Sequence, residues 1–380
     1  MKLGRYSLAG LGLFAAQFAH AQSSVTLYGL LDTGLQYTNN AGHGSLIRQT
    51  SGNINGSRFG LRGNEDLGGG LSAIFVLEGG ITINNGKSAQ DGRLFGRQSY
   101  VGLGSKTYGT VSLGRQYDAF TDTLIPLSAT ALTFGDSAFA HPFDNDEMIH
   151  SFRLSNTVKY ASPIYHGLKF EAQYAFSNST DFAVNRGYSF GLGYSSGPLS
   201  AGVGYFQLDG TQGTTINSPG TLDINESQAN NTAGFVLGAQ VQRIVGAGIN
   251  YEVGKGKVGF VYTHTQFLGS TSFGSHGGTV RFDNYELNAK YPVLPQLSVG
   301  AEYVFTNGHV TNSSTFGSSP KWNQIGLQTV YSFSKRTDVY LEGVYQHVSG
   351  HNYTAFIYNS GGASSTNNQV VGMVGLRARF

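Results

Sequence analysis

Apolar and polar residues alternate along most of the chain with a period of two. In "GLKFEAQYAFS", Leu168, Phe170, Ala172, Tyr174 and Phe176 share one face, and Lys169, Glu171 and Gln173 the other. "LSVGAEYVFT" sets Leu297, Val299, Ala301, Tyr303 and Phe305 against Ser298 and Glu302, and "VYLEGVYQ" lines up Val339, Leu341 and Tyr345. "VTLYGLLDTGLQY" does the same with Val25, Leu27, Leu31 and Leu35. The final "QVVGMVGLRARF" places Val370, Val374, Leu376, Ala378 and Phe380 opposite Gln369, Met373, Arg377 and Arg379. Successive side chains of a strand point to opposite faces, so each segment predicts a two-faced strand and not a helical stripe.

The connections between these segments alternate in length. Short, turn-rich ones fall at 64–70, 105–109, 162–167, 195–198, 254–257, 292–296 and 334–337. Between them lie longer Asn/Ser/Gly/Thr-rich stretches near 38–56, 84–92, 116–152, 178–186, 209–234, 268–280, 307–320 and 349–367. Seven short turns, with both termini on their side, predict eight hairpins and hence sixteen antiparallel strands. Sorting short turns to one rim and long loops to the other is the arrangement of an all-β, 16-stranded antiparallel transmembrane β-barrel, with short periplasmic turns and long extracellular loops. Its outer face meets hydrocarbon and its lumen holds water, which accounts for a last strand that is apolar on one side and cationic on the other.

Composition agrees with this picture. Charged residues make up only 12% and Gly reaches 55 of 380 residues, while aromatics are 13% and gather at strand ends such as Tyr28, Tyr37, Tyr160, Tyr291 and Phe380, as interfacial girdles would. No stretch reaches the roughly 18 consecutive apolar residues of a spanning helix, so a membrane role requires a closed sheet. Lys2 and Arg5, an apolar run from Leu8 to Phe18 and then Ala19-His20-Ala21 predict a signal peptide over 1–21 and a barrel domain over 22–380. Without that segment, acids and bases balance, which implies no nucleic-acid partner. There is no cysteine and hence no disulfide, and the ten histidines form no HxxxH or HExxH pattern, so neither a metal nor a cofactor is implied. "GGITINNGKS" has five residues between Gly80 and Gly86 and no helical pattern after it, so it is a hairpin loop and not a phosphate loop.

Several motifs resemble the trimeric general-diffusion porins of Gram-negative outer membranes, particularly the beta-proteobacterial branch. They are "SSVTLYGLLDTGL", "SRFGLRGNEDLGGGLSAIFVLEGG", "FGRQSYVGLGSKTYGTVSLGRQYD", "NTVKYASP", "SKRTDVY" and the terminal "GLRARF". The resemblance implies a homotrimer in outer-membrane lipid and lipopolysaccharide, each subunit a water-filled channel for ions and small hydrophilic solutes. It also implies a third loop, about 116–152, folded inward to narrow the pore, and a last strand, with Leu376 and Phe380, read by the outer-membrane assembly machinery.

In such porins wall arginines face carboxylates on that loop and set a transverse field at the constriction. By motif, Arg58, Arg97 and Arg153 match the wall, and strand phase adds Arg62. Arg97 shares phase with the apolar Val101 and Leu103, so an inward Arg97 calls for a bulge or a neighbouring subunit against its strand. Arg115 and Lys159 complete the expected wall cations. On the loop, Asp136 in "FGDSAF" resembles the family's Gly-Asp tip, with Asp122 and Asp118 behind it, whereas Asp144, Asp146 and Glu147 are expected to face water. Six wall cations against two or three acids imply mild anion preference. Two alternatives stay open. A solute-specific channel would place aromatics along the lumen, for which Tyr28, Tyr188 and Tyr340 are candidates. An outer-membrane phospholipase would need a Ser–His pair, for which His347 and Ser349 are nearest.

Overall fold

A computed structural model describes residues 24–90, 92–130, 137–151, 153–210 and 237–380. The proposed signal peptide and Asp136 lie outside these residues. The strands are β1 (Ser24–Thr38), β2 (Leu46–Ser51), β3 (Arg58–Gly68), β4 (Leu71–Thr82), β5 (Lys87–Ser88) and β6 (Gln98–Ser105). They continue with β7 (Gly109–Gln116), β8 (Leu154–Ala161), β9 (Leu168–Ala175), β10 (Arg186–Ser196), β11 (Leu199–Asp209) and β12 (Val241–Val253). The last six are β13 (Gly256–Ser270), β14 (Gly278–Pro292), β15 (Leu297–Val310), β16 (Lys321–Ser332), β17 (Thr337–Ser349) and β18 (Asn368–Arg379). One short helix, α1 (Ala119–Leu124), interrupts them.

Each wall strand pairs antiparallel with the next, and β18 returns to β1 from Leu30↔Arg379 to Thr38↔Val371, which closes the sheet. β2 and β3 lie on the same edge of β1, one on each half of its length, and so form a single wall strand broken at 52–57. β5 pairs only with the end of β4. The wall therefore has sixteen strands. The seven short turns join strand ends on one rim, and the described long connections join those on the other, with two refinements. β3 pairs as far as Gly68↔Leu71, which confines the first turn to Gly69 and Gly70, both at positive φ. The stretch 38–56 is not all loop: β2 lies inside it because Ile47 and Arg48 alternate, Ile47 outward at 74% exposure and Arg48 inward on Gln36 Oε1 at 2.7 Å.

The outer wall is a band of exposed Leu, Val, Ile, Tyr and Phe that includes Leu35, Leu287, Leu327, Leu341 and Val374. In water so continuous a patch would drive association, whereas in hydrocarbon it is the resting surface. Ring closure gives every wall strand two neighbours, which hydrocarbon demands because it supplies no hydrogen-bond partners. The seam is tight: Gly29 and Phe380 exchange both backbone hydrogen bonds at 3.1 Å, and a Cβ on Gly29 would come within 2.2 Å of the Phe380 ring.

Inside, the segment between β7 and β8 folds into the lumen. Asp118 caps α1 by accepting from Thr121 N at 3.0 Å, and Pro126 helps end the helix in a tighter turn over Ile125–Leu127. The helix rests on a bare patch of wall where Gly191, Gly204 and Gly246 stand in register across β10–β12. A Cβ there would meet Thr123 at 2.0 Å, Phe120 at 2.9 Å and Leu124 at 2.5 Å, so the glycines let the helix approach backbone directly. Phe120, Leu124, Ile125 and Leu127 are thereby buried with Phe206, Ile244 and Val261 of the wall.

Candidate pore constriction

Where the inward segment leaves β7, four cations converge. Arg97 binds Glu78 of β4 with Nε–Oε1 at 2.7 Å, and its Nη2 donates to the Tyr117 hydroxyl at 2.7 Å. Arg153 donates to the same hydroxyl at 2.7 Å and lays its guanidinium 4.7 Å from the Tyr117 ring centre. Arg58, at the start of β3, donates to the Gly56 carbonyl at 2.8 Å and stands in register with Gly80, two residues from Glu78. Lys159 of β8 contacts Asp122 and the Tyr117 carbonyl, with Glu171 3.8 Å away. The ring of His150 packs against Tyr117 at 4.2 Å. Burial, and then the charges of Arg153 and Arg97, holds that imidazole well below its ordinary pKa, so it is neutral and adds nothing to the basic cluster.

The phase of Arg97 has a local reason. Arg97 sits at the bend before β6, tied by its own N–H to the Glu78 carbonyl at 3.1 Å, so strand alternation begins only after it. Val101 and Leu103 point out while Arg97 points in. Arg62 lies nearer the short-turn rim, 5.3 Å over Tyr28 and apart from the cluster. Arg115 is a correction. The pairing of β7 with β8 shifts register between Gly114 and Gln116, and the guanidinium of Arg115 donates to Gly96 O at 2.8 Å, Arg153 O at 3.1 Å and Ser155 Oγ at 2.8 Å. It knits the ends of two loops to the wall instead of lining the constriction.

The acids are distributed unlike the expectation. Among the described residues Asp122 is the loop carboxylate that still meets the lumen, at 34% side-chain exposure, and it faces Lys159. Asp118 is buried as the cap of α1; burial pushes its carboxyl up to about 6 against the pull of its Thr121 hydrogen bonds. Asp144, Asp146 and Glu147 do not face water, because the loop folds their segment against the far wall. There His141 lies between Asp146, with Nδ1–Oδ2 at 2.6 Å, and Glu286 of β14, with Nε2–Oε2 at 3.0 Å. Burial alone would depress this imidazole, but the two carboxylates drive it well above its ordinary pKa and keep it charged. Glu286 also accepts from Ser128 Oγ and Ala129 N, each at 2.6 Å.

A second inward segment escaped sequence reasoning. Residues 52–57 leave the wall between β2 and β3, and Ile54 N and Asn55 N both donate to Asp32 at 2.9 Å. Tyr340 donates to the same carboxylate at 2.6 Å, and the Asn53 carbonyl receives Ser137 N at 3.2 Å from the loop tip. Glu78 and Glu286 were missed too. Glu78 carries a signal, a lone carboxylate in the otherwise apolar "AIFVLEGG", whereas Glu286 shares its strand with Arg281, Asp283 and Lys290 and carries none.

Neither alternative gains a site. Tyr28 and Tyr340 face the lumen at separate places, while Tyr188 is on the outer wall, stacked 6.2 Å from Tyr205. His347 bonds Asn368 at 2.9 Å and Ser349 donates to the Lys321 carbonyl, so the two are not joined. Leu376 and Phe380 are exposed on the outer wall.

Sequence and structure comparisons converge on one family. The model described as Gram-negative porin matches residues 7–351. Outer membrane porin protein 32 of Delftia acidovorans is 33% identical over 351 residues, covering 88% of this chain and 87% of that protein. An outer membrane porin of Bordetella pertussis is 32% identical over 365 residues, covering 86% of this chain and 90% of its own. Among solved structures, the anion-selective porin from Comamonas acidovorans superimposes with a TM-score of 0.72 at 25% identity, covering 94% of this chain and all of that one. A closed sixteen-stranded wall, a loop folded into its lumen and this breadth of similarity place the chain in the Gram-negative porin family, as a general-diffusion channel of the outer membrane.

Proposed function

We propose that the channel passes small hydrophilic solutes with a mild preference for anions. The observation that carries this is the imbalance of charge at the constriction. Arg58, Arg97, Arg153 and Lys159 converge on the lumen, whereas of the loop acids Asp118, Asp144 and Asp146 are spent on capping and packing. Among the described residues Glu78, Asp122 and Glu171 offset part of the positive charge without cancelling it. The similar Comamonas acidovorans porin, described as anion-selective, supports the same sign. Reversal potentials across a KCl gradient test it: a chloride-directed potential is expected, and strong potassium selectivity would overturn the proposal.

The remaining parts follow from the family resemblance. Residues 1–21 direct export and are removed after Ala21. The last strand, with Leu376 and Phe380 on its outer face, is presented to the assembly machinery, and the mature protein is a homotrimer in lipid that includes lipopolysaccharide. Single-channel steps arriving in threes test the oligomer, and the mature N-terminus, read by sequencing, tests the cleavage.

A further inference from the structure

On β4 the lumen wall carries an open apolar patch. Elsewhere apolar side chains turned inward are covered: Phe206, Ile244 and Val261 lie under α1, and Phe282, Trp322 and Val348 share a core with Phe143 of the inward loop. β4 differs because its "AIFV" is apolar in both phases. Phe75 takes the outer face, where a Cβ on Gly63, in register with the outward Val25, would come within 2.1 Å of its ring. Ile74 and Val76 take the lumen face, which they share with Glu78, and both stay partly open. Gly102, set between the outward Val101 and Leu103, confirms the phase, since a Cβ there would come within 3.2 Å of Ile74.

A cation and two phenols border this patch. One row of register runs through Arg62, Val76 and Tyr100 on β3, β4 and β6. Tyr28 reaches across β3 over the bare wall at Gly60, where a Cβ would meet its ring tip at 2.8 Å, and its hydroxyl donates to Glu78 at 3.0 Å. Arg62 stands 5.3 Å from the centre of that ring. Glu78, one row above, is already engaged by Arg97 at 2.7 Å and by Tyr28, whereas among the described residues no carboxylate pairs with the exposed Arg62. Arg62 and Tyr100 are two strands apart, a span of about 10 Å at the usual strand spacing, with the aliphatic floor between them. A guanidinium fork takes a carboxylate through two parallel hydrogen bonds. Ile74 and Val76 gain from burial under an apolar ring, and a phenol offers that ring a face or an edge.

We propose that this patch is a resting site for one-ring aromatic carboxylates on the short-turn side of the constriction. The carboxylate sits on Arg62, and the ring lies over Val76 and Ile74 against Tyr100. It is one resting place and not a continuous aromatic track, so the channel stays non-specific. The inference rests on the anion-preferring channel reading and names a class of solute for it.

The test uses the full-length folded protein in planar bilayers in KCl, with benzoate, cyclohexanecarboxylate and acetate added in turn and the interruptions of ionic current titrated. Benzoate should interrupt the current at concentrations about tenfold below acetate, because acetate lacks the apolar ring. Cyclohexanecarboxylate, with the same charge but no planar ring, should fall about threefold short of benzoate. Arg62→Gln should weaken benzoate about tenfold. Val76→Ser keeps every charge, so it should weaken benzoate about fivefold and leave acetate unmoved, whereas a general loss of anion attraction would weaken both alike. Equal potency of acetate and benzoate, or unchanged benzoate affinity in either variant, would overturn the site, and equal potency of cyclohexanecarboxylate would overturn its aromatic assignment. Should Arg62→Gln fail to fold, Val76→Ser decides alone. A wild type that conducts with chloride preference yet shows no benzoate interruptions would sink the site and leave the channel reading standing, while a wild type that prefers potassium would sink the anion reading on which the site rests.

Discussion

Tyr117 accepts hydrogen bonds from two guanidiniums through one oxygen, which holds Arg97 and Arg153 in fixed positions on the lumen wall. Removing that oxygen in Tyr117→Phe should cost about 1–3 kcal/mol in lost hydrogen bonds to charged groups. It should also lower chloride preference in reversal-potential measurements, by less than Arg97→Ala does. Arg97→Ala deletes a charge and leaves Glu78 without its 2.7 Å ion pair, so potassium permeability should rise together with conductance. Asp118 is a test of sign. Its carboxyl titrates near 6 in the folded protein, above its value in an unfolded chain, so the folded state binds that proton more tightly and ionisation costs stability as pH rises through 6. Asp118→Asn keeps an acceptor for the helix cap without the charge, and should match or exceed wild-type thermal stability at pH 7 while converging with it near pH 4. Asp118→Ala should lose about 1 kcal/mol.

The inward loop is held by two devices that differ in kind. One is steric: α1 lies on the glycine patch of β10–β12, so Gly204→Val should lift Phe120 from the wall and push the helix toward the lumen. Single-channel conductance is expected to fall. The other is ionic: His141 is charged between Asp146 and Glu286. Its folded pKa is raised, so its stabilising contribution is full below the ordinary histidine value and is lost as pH climbs through the raised one. Alkaline solution, or His141→Gln at neutral pH, should free the loop and add rapid current fluctuations to the open state.

The two devices were not equally legible. Strand phase and turn positions could be read from local pattern, because alternation and turn chemistry are local properties, whereas Arg58, Arg97 and Arg153 came from motif resemblance and the phase of Arg97 pointed the other way. The pairing of Ala129 with Glu286, or of Asn53 with Tyr340, joins residues far apart in the chain and leaves no periodic trace. The same reason explains the two errors of placement. Asp144 and Asp146 look like a solvated run until the wall behind them supplies His141, Thr263 and Asn284 as partners. Arg115 looks like a wall cation until the irregularity between Gly114 and Gln116 brings it onto the Gly96 and Arg153 carbonyls.

At the scale of the whole molecule, stability comes from closure. Gly29→Val should drive the Phe380 ring out of the seam, at about 1–3 kcal/mol for overpacking, and lower the temperature at which the barrel unfolds in detergent. A loss of resistance without a loss of conductance would show that the seam is structural only.

The seam also sets an order of events for biogenesis. Because β1 pairs with β18, and Phe380 exchanges two backbone bonds with Gly29, the ring cannot close until β18 is in place. A partly synthesised or C-terminally clipped chain is an open ribbon with bare edges, unfit for hydrocarbon and prone to pair with other ribbons. Insertion is therefore a commitment made once, when β18 arrives, and removal of β18 should strand the protein as aggregate instead of yielding a slightly weaker pore.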